Sequence, residues 1–175
     1  MTDIYFVRHG QSVANANKTC AGCMDVELTE LGRTQALEAG AELARSGVVI
    51  DKIVTSPLKR ARETAECIAD AIGVKHEDIV VTEFARERNF GEYEGQLIAA
   101  RRGVTKEVLA KMGVESVDAM AERARQLHDF VEGLAVQSVL VVSHNQFGCV
   151  FVATERGKPI EIVVNKLPNA HIFKI

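Results

Sequence analysis

Ile4-Tyr5-Phe6-Val7-Arg8-His9-Gly10 is an apolar run that ends in a guanidinium, an imidazole and a glycine. The run reads as a β-strand and the glycine as the place where the backbone turns away. A second stretch repeats the design: Ser138 to Val142 is the most apolar strand of the chain, and Ser143-His144-Asn145 follows it. Strands this apolar, alternating with helical stretches, are parallel strands covered on both faces. Open sheets of that kind place their ligand crevices at the C-terminal ends of the strands. One strand-end histidine is commonly structural; two in one parallel sheet can converge on one crevice.

Working outward, Asp3 to Val7 is the first strand. Thr29 caps a helix whose apolar stripe is expected at Leu31, Ala36, Leu37, Ala41 and Leu43, and Ser46-Gly47 ends it. Lys52 to Thr55 is a strand. Ser56-Pro57 opens the next helix, with Ser as cap and Pro at the first helical position, and Gly73 stops it after Ile72. Ile79 to Thr82 is a short strand and Phe84 to Gly95 a loop. Ile98 to Met112 and Ser116 to Leu134 are helices, Phe147 to Thr154 begins another, and His171 to Ile175 is the last strand. The pattern predicts an α/β fold: a single three-layer α/β/α domain over residues 1–175 with a mostly parallel central sheet. No linker, repeat or low-complexity segment divides it.

Composition narrows the function classes. With 47% hydrophobic and 26% charged residues the chain matches an ordinary soluble domain. A net charge of −3 gives no general attraction to nucleic acid or an acidic membrane surface, so neither is expected as a partner. No stretch has the length of a membrane span and the start lacks a signal peptide's apolar core, so a cytoplasmic location is expected. Cys20-Ala21-Gly22-Cys23 is formally a C-x-x-C, but no second ligand pair has zinc spacing, and reduced loop thiols are expected.

The residue types at the strand ends suit phosphoryl chemistry. An imidazole can attack phosphorus, and a guanidinium holds the oxygens. Ser56-Pro57-Leu58-Lys59-Arg60-Ala61-Arg62 follows the second strand. Its helix N-terminus suits a phosphate, and Arg60 in the first turn can reach over the strand edge. Lys59 and Arg62 fit a solvated helix face. Breaking a phosphate ester also needs an acid for the leaving oxygen and a base for water. Glu87, Glu92 and Glu94, in the loop Arg86 to Gly95, are the candidates, and composition does not choose among them.

Taken together these motifs resemble the histidine phosphatase superfamily, the phosphoglycerate mutase-like proteins. The resemblance runs over nearly the whole chain: Arg8-His9-Gly10-Gln11-Ser12 with Asn15, Gly22 to Asp25, Leu28 to Gly32, Gln35-Ala36, Ser56 to Ala61 with Thr64-Ala65, Glu87 with Phe90-Gly91 and Glu94-Gly95, and Ser143-His144. It implies a phosphoglycerate mutase-like fold and these roles. His9 is the nucleophile that becomes phosphohistidine. Arg8, Arg60 and His144 bind the phosphoryl group. Glu87 gives and later takes the proton, and Asn15 contacts phosphate or substrate at the rim. No metal or other cofactor is implied, because the cations are built in.

The expected activity is metal-independent hydrolysis of a phosphomonoester, on a small phosphorylated metabolite or a phosphoprotein. The alternative is a phosphoglycerate mutase; a non-catalytic phosphate-binding module is a third reading, opposed by the intact motif residues. Only some twenty residues separate Gly95 from the helix at Ser116, a short lid for a mutase that must keep an intermediate from water. That segment carries Arg101, Arg102 and Lys106, which can read an acidic substrate or simply face solvent. Asn145 stands where the family commonly has glycine. His76, His128 and His171 are expected to be structural or exposed.

Overall fold

A computed structural model describes residues 1–160 and 167–175. Its sheet is built from β1 (Asp3–Arg8), β2 (Lys52–Thr55), β3 (Val80–Val81), β4 (Ser138–Ser143) and β5 (Ile172–Lys174). The order across the sheet is β3-β2-β4-β1-β5. The first four run parallel, and β5 closes the edge antiparallel to β1. The mixed α/β fold with a mostly parallel sheet is the one expected. The register between β1 and β4 decides the rest. Val7 pairs with Val142 and Arg8 with Ser143, so His9 and His144 leave the sheet side by side.

Among the described residues, six α-helices accompany the strands: α1 (Val13–Ala16), α2 (Glu30–Ser46), α3 (Lys59–Ile72), α4 (Lys106–Lys111), α5 (Val117–Gly133) and α6 (Asn145–Glu155). Side chains alternate across each strand. Phe6, Val139 and Val141 pack with Met120 and Leu127 of α5 and Phe147 and Phe151 of α6. Val7, Leu140 and Val142 face the other way, onto Leu43 of α2 and Ala61, Ala65 and Ile68 of α3. Those are the three layers. A smaller apolar cluster of Cys20, Phe90, Tyr93 and Val114, backed by Ile98 and Leu109, sits in the loops.

Several local expectations need correction. On α2 the buried residues are Gly32, Ala36, Ala39, Gly40 and Leu43, while Leu31 and Leu37 are each 52% exposed. The reason is close approach: a Cβ on Gly40 would lie 2.7 Å from Ala71 Cβ and 3.0 Å from Ile68 Cα of α3. At that crossing only small residues fit, and Leu31 and Leu37 turn outward while Ala36 and Leu43 stay buried as expected. Ser56 does not cap α3. That helix starts at Lys59 with Leu58 at the cap position; the backbone needs an extra turn to leave the sheet edge. The helix expected over Ile98 to Met112 is two pieces, a 3-10 turn at Ile98–Arg101 and α4. Gly103, in the left-handed region at φ +72°, separates them, and Thr105 starts α4 afresh by accepting from Val108 N–H. The strand expected over Ile79 to Thr82 is only Val80–Val81, and the loop before Gly95 contains 3-10 turns at Glu83–Ala85 and Gly91–Tyr93. Among the described residues no helix is long and apolar enough to cross a membrane.

Candidate active site

At the C-terminal edge of the sheet, a cleft enclosing about 500 Å³ with its open mouth is lined by Arg8, His9, Asn15, Arg60, Glu87 and Arg101, among others. His9 is 3% exposed. Its backbone N–H continues the sheet ladder, donating to Ser143 O at 2.9 Å. Its Nδ1 lies 2.6 Å from Gly10 O. A carbonyl can only accept, so Nδ1 carries the ring proton and Nε2 keeps its lone pair. Arg60 Nε donates to that Nε2 at 3.3 Å, which is consistent with the same tautomer.

Arg60 is 1% exposed and tied at both ends of its fork. Nη1 donates to Met24 O at 2.8 Å and Nη2 to Gly22 O at 2.7 Å. The Gly22–Met24 stretch thus aims a cation at His9. Arg8 donates from Nη1 to Leu167 O at 2.7 Å, and its buried Nε has no partner among the described residues. Burial lowers the pKa of both guanidiniums, while the negative charge of Glu87 works against that. A guanidinium nonetheless stays charged at any working pH.

His144 is fully buried, its ring edge-on to His9 with centroids 5.1 Å apart. Its Nε2 lies 2.8 Å from Ser56 Oγ, and Nδ1 has no partner among the described residues. Burial first, then Arg60 and Arg8, hold His9 well below the ordinary histidine value of 6.5. Burial, Arg60, His9 and Arg8 do the same to His144. Both imidazoles are therefore neutral near neutral pH.

Of the three candidate carboxylates only Glu87 meets the cleft. Its Oε1 accepts from Arg88 N at 2.9 Å and Phe147 N at 2.9 Å, and its Oε2 from Asn145 N at 3.1 Å and Gln146 N at 3.3 Å. It thus sits at the N-terminus of α6, whose otherwise unpaired N–H groups fix the carboxyl group in place. Glu94 instead ties down the neighbouring loop, accepting from Cys23 N and Phe90 N, and Glu92 is exposed. The α3 N-terminus, expected to face phosphate, is occupied: Lys59 N donates to Asp25 Oδ1 at 2.6 Å. Asn15 Oδ1 accepts from Ser12 N in a capping box, which leaves Nδ2 uncommitted among the described residues.

A sequence profile of the histidine phosphatase superfamily, branch 1, matches residues 4–175.
The chain belongs to the histidine phosphatase superfamily.
A protein of Hydrogenobacter thermophilus provisionally named phosphoserine phosphatase 2 is 34% identical over 186 aligned positions, covering 100% of this chain and 89% of the relative. One of Erwinia tasmaniensis provisionally named phosphoglycerate mutase GpmB is 34% identical over 171, covering 91% and 77%. The crystal structure of a phosphoserine phosphatase variant from Entamoeba histolytica, in complex with phosphoserine, superposes with a TM-score of 0.82. That pair is 25% identical, with 98% of this chain and 89% of the other covered.

The structure also gives roles in the site to residues that sequence reasoning had not assigned to it. Thr64 Oγ1 accepts Gly10 N–H at 3.0 Å and donates to Arg60 O at 2.8 Å. Its place one helical turn after Arg60 is a readable signal. Ser56, read as a cap, serves His144. Asn169 Nδ2 donates to His9 O at 2.7 Å, and nothing near it in the sequence signals this. Of the basic residues after Gly95, Arg101 lines the cleft; Arg102 and Lys106 are exposed and stand outside it. Arg101 Nε donates to Cys20 Sγ at 3.2 Å, and its guanidinium lies 3.9 Å over the Phe90 ring. Cys20 is buried, Cys23 is half-buried, and both are free thiols. Asn145 is 8% exposed on the cleft wall, its Oδ1 accepting from Leu167 N at 3.2 Å.

Proposed function

We propose that the protein is a metal-independent phosphomonoester hydrolase that passes the phosphoryl group through Nε2 of His9. The observation that carries this reading is the His9 tautomer. Nδ1–H is committed to Gly10 O, and the unprotonated Nε2 stands beside a guanidinium in an open cleft. Nε2 attacks phosphorus, the P–O bond to the alcohol breaks, and Glu87 gives its proton to the leaving oxygen. Glu87 then takes a proton from water, the resulting hydroxide attacks phosphorus, the N–P bond breaks, and inorganic phosphate leaves.

Arg8 and Arg60 hold the oxygens and spread the developing charge, the role a metal plays elsewhere. Ser56 Oγ accepts Leu58 N–H and gives its own proton to His144 Nε2. Nδ1–H of His144 is then left as a buried donor that a phosphoryl oxygen satisfies. Asn15 Nδ2 adds a donor at the rim. Arg101, braced on Phe90 at the mouth, supports a small ester with a second anionic group over a phosphoprotein, as do the two relatives whose names or bound ligand contain phosphoserine.

A mutase is the second reading, favoured by the relative named as one. The test is phosphate release from phosphoserine, 3-phosphoglycerate, para-nitrophenyl phosphate and a phosphopeptide in the presence of a chelator, with the glycerate product assayed for isomerisation. Phosphate release with chelator present is expected. Isomerised phosphoglycerate without release makes it a mutase. Release from the phosphopeptide alone overturns the small-ester assignment.

A further inference from the structure

Glu87 sits on a loop, and loops do not by themselves hold a side chain to within the tolerance that proton transfer needs. The side chain that fixes this loop is Arg123, on α5, outside the cleft. Its Nη1 donates to Phe84 O at 3.0 Å and to Arg86 O at 2.5 Å, and its Nη2 reaches Glu87 O at 3.4 Å. The same guanidinium grips Glu115 with both ends, Nε at 3.1 Å and Nη2 at 3.0 and 2.9 Å.

Glu115 then closes the loop from its far side. Its Oε2 accepts Asn89 N–H at 3.1 Å, and its backbone carbonyl accepts Arg88 Nε at 2.8 Å. Finally, Arg123 lies 4.2 Å over the ring of Phe147. The N–H of Phe147 is one of the four that hold the Glu87 carboxylate. One side chain therefore touches the backbone that carries Glu87 and the helix that cradles its carboxylate. The pair is largely out of water, with Arg123 11% and Glu115 14% exposed, so it is a fixed brace and not a solvated ion pair.

We propose that Arg123, braced by Glu115, is a positioning residue for proton transfer by Glu87, setting how well the enzyme cleaves esters with poor leaving groups. This rests on the assignment of Glu87 as the proton donor. Lysine cannot replace the arginine, because a single ammonium cannot span three carbonyls and a carboxylate in one plane.

The test compares kcat/KM, which reports the first phosphoryl transfer, for para-nitrophenyl phosphate and for phosphoserine as an alkyl ester. The proteins are wild type, Arg123→Met, Arg123→Lys, Glu87→Gln, the Glu87→Gln/Arg123→Met double variant, and Val131→Ala. Val131→Ala trims a fully buried core residue of the same helix and controls for lost stability. Glu87→Gln slows the alkyl ester more than the activated one, by about 100-fold in the ratio. Arg123→Met and Arg123→Lys move the ratio in the same direction by about 10-fold, with KM little changed. Val131→Ala leaves the ratio alone, and the double variant has the ratio of Glu87→Gln.

If Glu87→Gln shifts the ratio and both Arg123 variants slow the two esters equally, Arg123 is only structural and the proposal is overturned. If Glu87→Gln itself leaves the ratio unchanged, the assignment of Glu87 is what fails. A double variant shifted by the product of the two single effects also refutes action through Glu87.

Discussion

Acidification should destabilise this protein through two buried histidines, His9 and His144. Both are held well below the ordinary histidine value of 6.5 by burial and by neighbouring arginines. The unfolded chain takes up protons as pH falls through that value, and the folded chain does not. Stability therefore falls as pH is lowered, the reverse of a histidine that gains a carboxylate partner. Between about pH 7.5 and about pH 5.5 each histidine removes RT ln 10, about 1.4 kcal/mol, so the pair removes about 2.7 kcal/mol while the folded-state pKa values lie below that window.

At about 2–4 °C per kcal/mol for a domain of this size, the melting temperature drops by about 5–11 °C. The assay is urea unfolding at the two pH values, for wild type and for His9→Gln and His144→Gln. Each variant should lose about 1.4 kcal/mol less than wild type over the same interval, whatever its stability at the upper pH. Identical losses in wild type and variants would refute the reasoning. So would a protein that gains stability on acidification.

Three further outcomes follow from contacts of the site. Gly32→Ala would put a Cβ 2.0 Å from Gln11 O, a backbone atom that no side-chain rotation can move aside. The turn after His9 must then shift, costing about 1–3 kcal/mol and lowering kcat/KM; a melting curve and activity equal to wild type would contradict this. Arg60→Lys should lower kcat/KM by about 100-fold or more, since one ammonium cannot hold the Gly22 and Met24 carbonyls and phosphoryl oxygens together; a steady-state assay with para-nitrophenyl phosphate checks it. Ser56→Ala removes the partner of His144 Nε2 and should cost about 1–3 kcal/mol of stability, measured by urea unfolding, with a weaker affinity for inorganic phosphate as inhibitor.

Much of the fold was legible where the signal was local, though Ser56 as a cap and the unbroken helix from Ile98 to Met112 were misread. Apolar runs, Thr29 as a cap, and Gly47 and Gly73 as stops all mark elements that the structure contains. Much of the rest depended on partners distant in sequence. The α3 N-terminus looked open to phosphate because nothing in its own sequence shows that Asp25 fills it. The outward turn of Leu31 and Leu37 follows from the close approach of α3, which helical periodicity does not contain.

For the site, two strand-end histidines announced a crevice, but the pairing of Arg8 with Ser143, which brings them together, is a property of the sheet. Glu87 and Glu94 lie in one loop with similar surroundings in sequence. Only the course of the backbone gives one to the cleft and the other to the Cys23 loop. Asn169 and Arg123 were invisible for the same reason: each acts on a backbone segment far away in the chain, and neither sits in a pattern of its own.

The most direct test of the central claim is to trap the phosphoenzyme. The protein is mixed with a radiolabelled phosphomonoester, denatured within the first turnovers in alkali, and digested for peptide mapping. The account predicts label on His9, stable in alkali and lost in acid, as a phosphoramidate is, and absent from His9→Ala. Label on another residue, or turnover by His9→Ala, would contradict it.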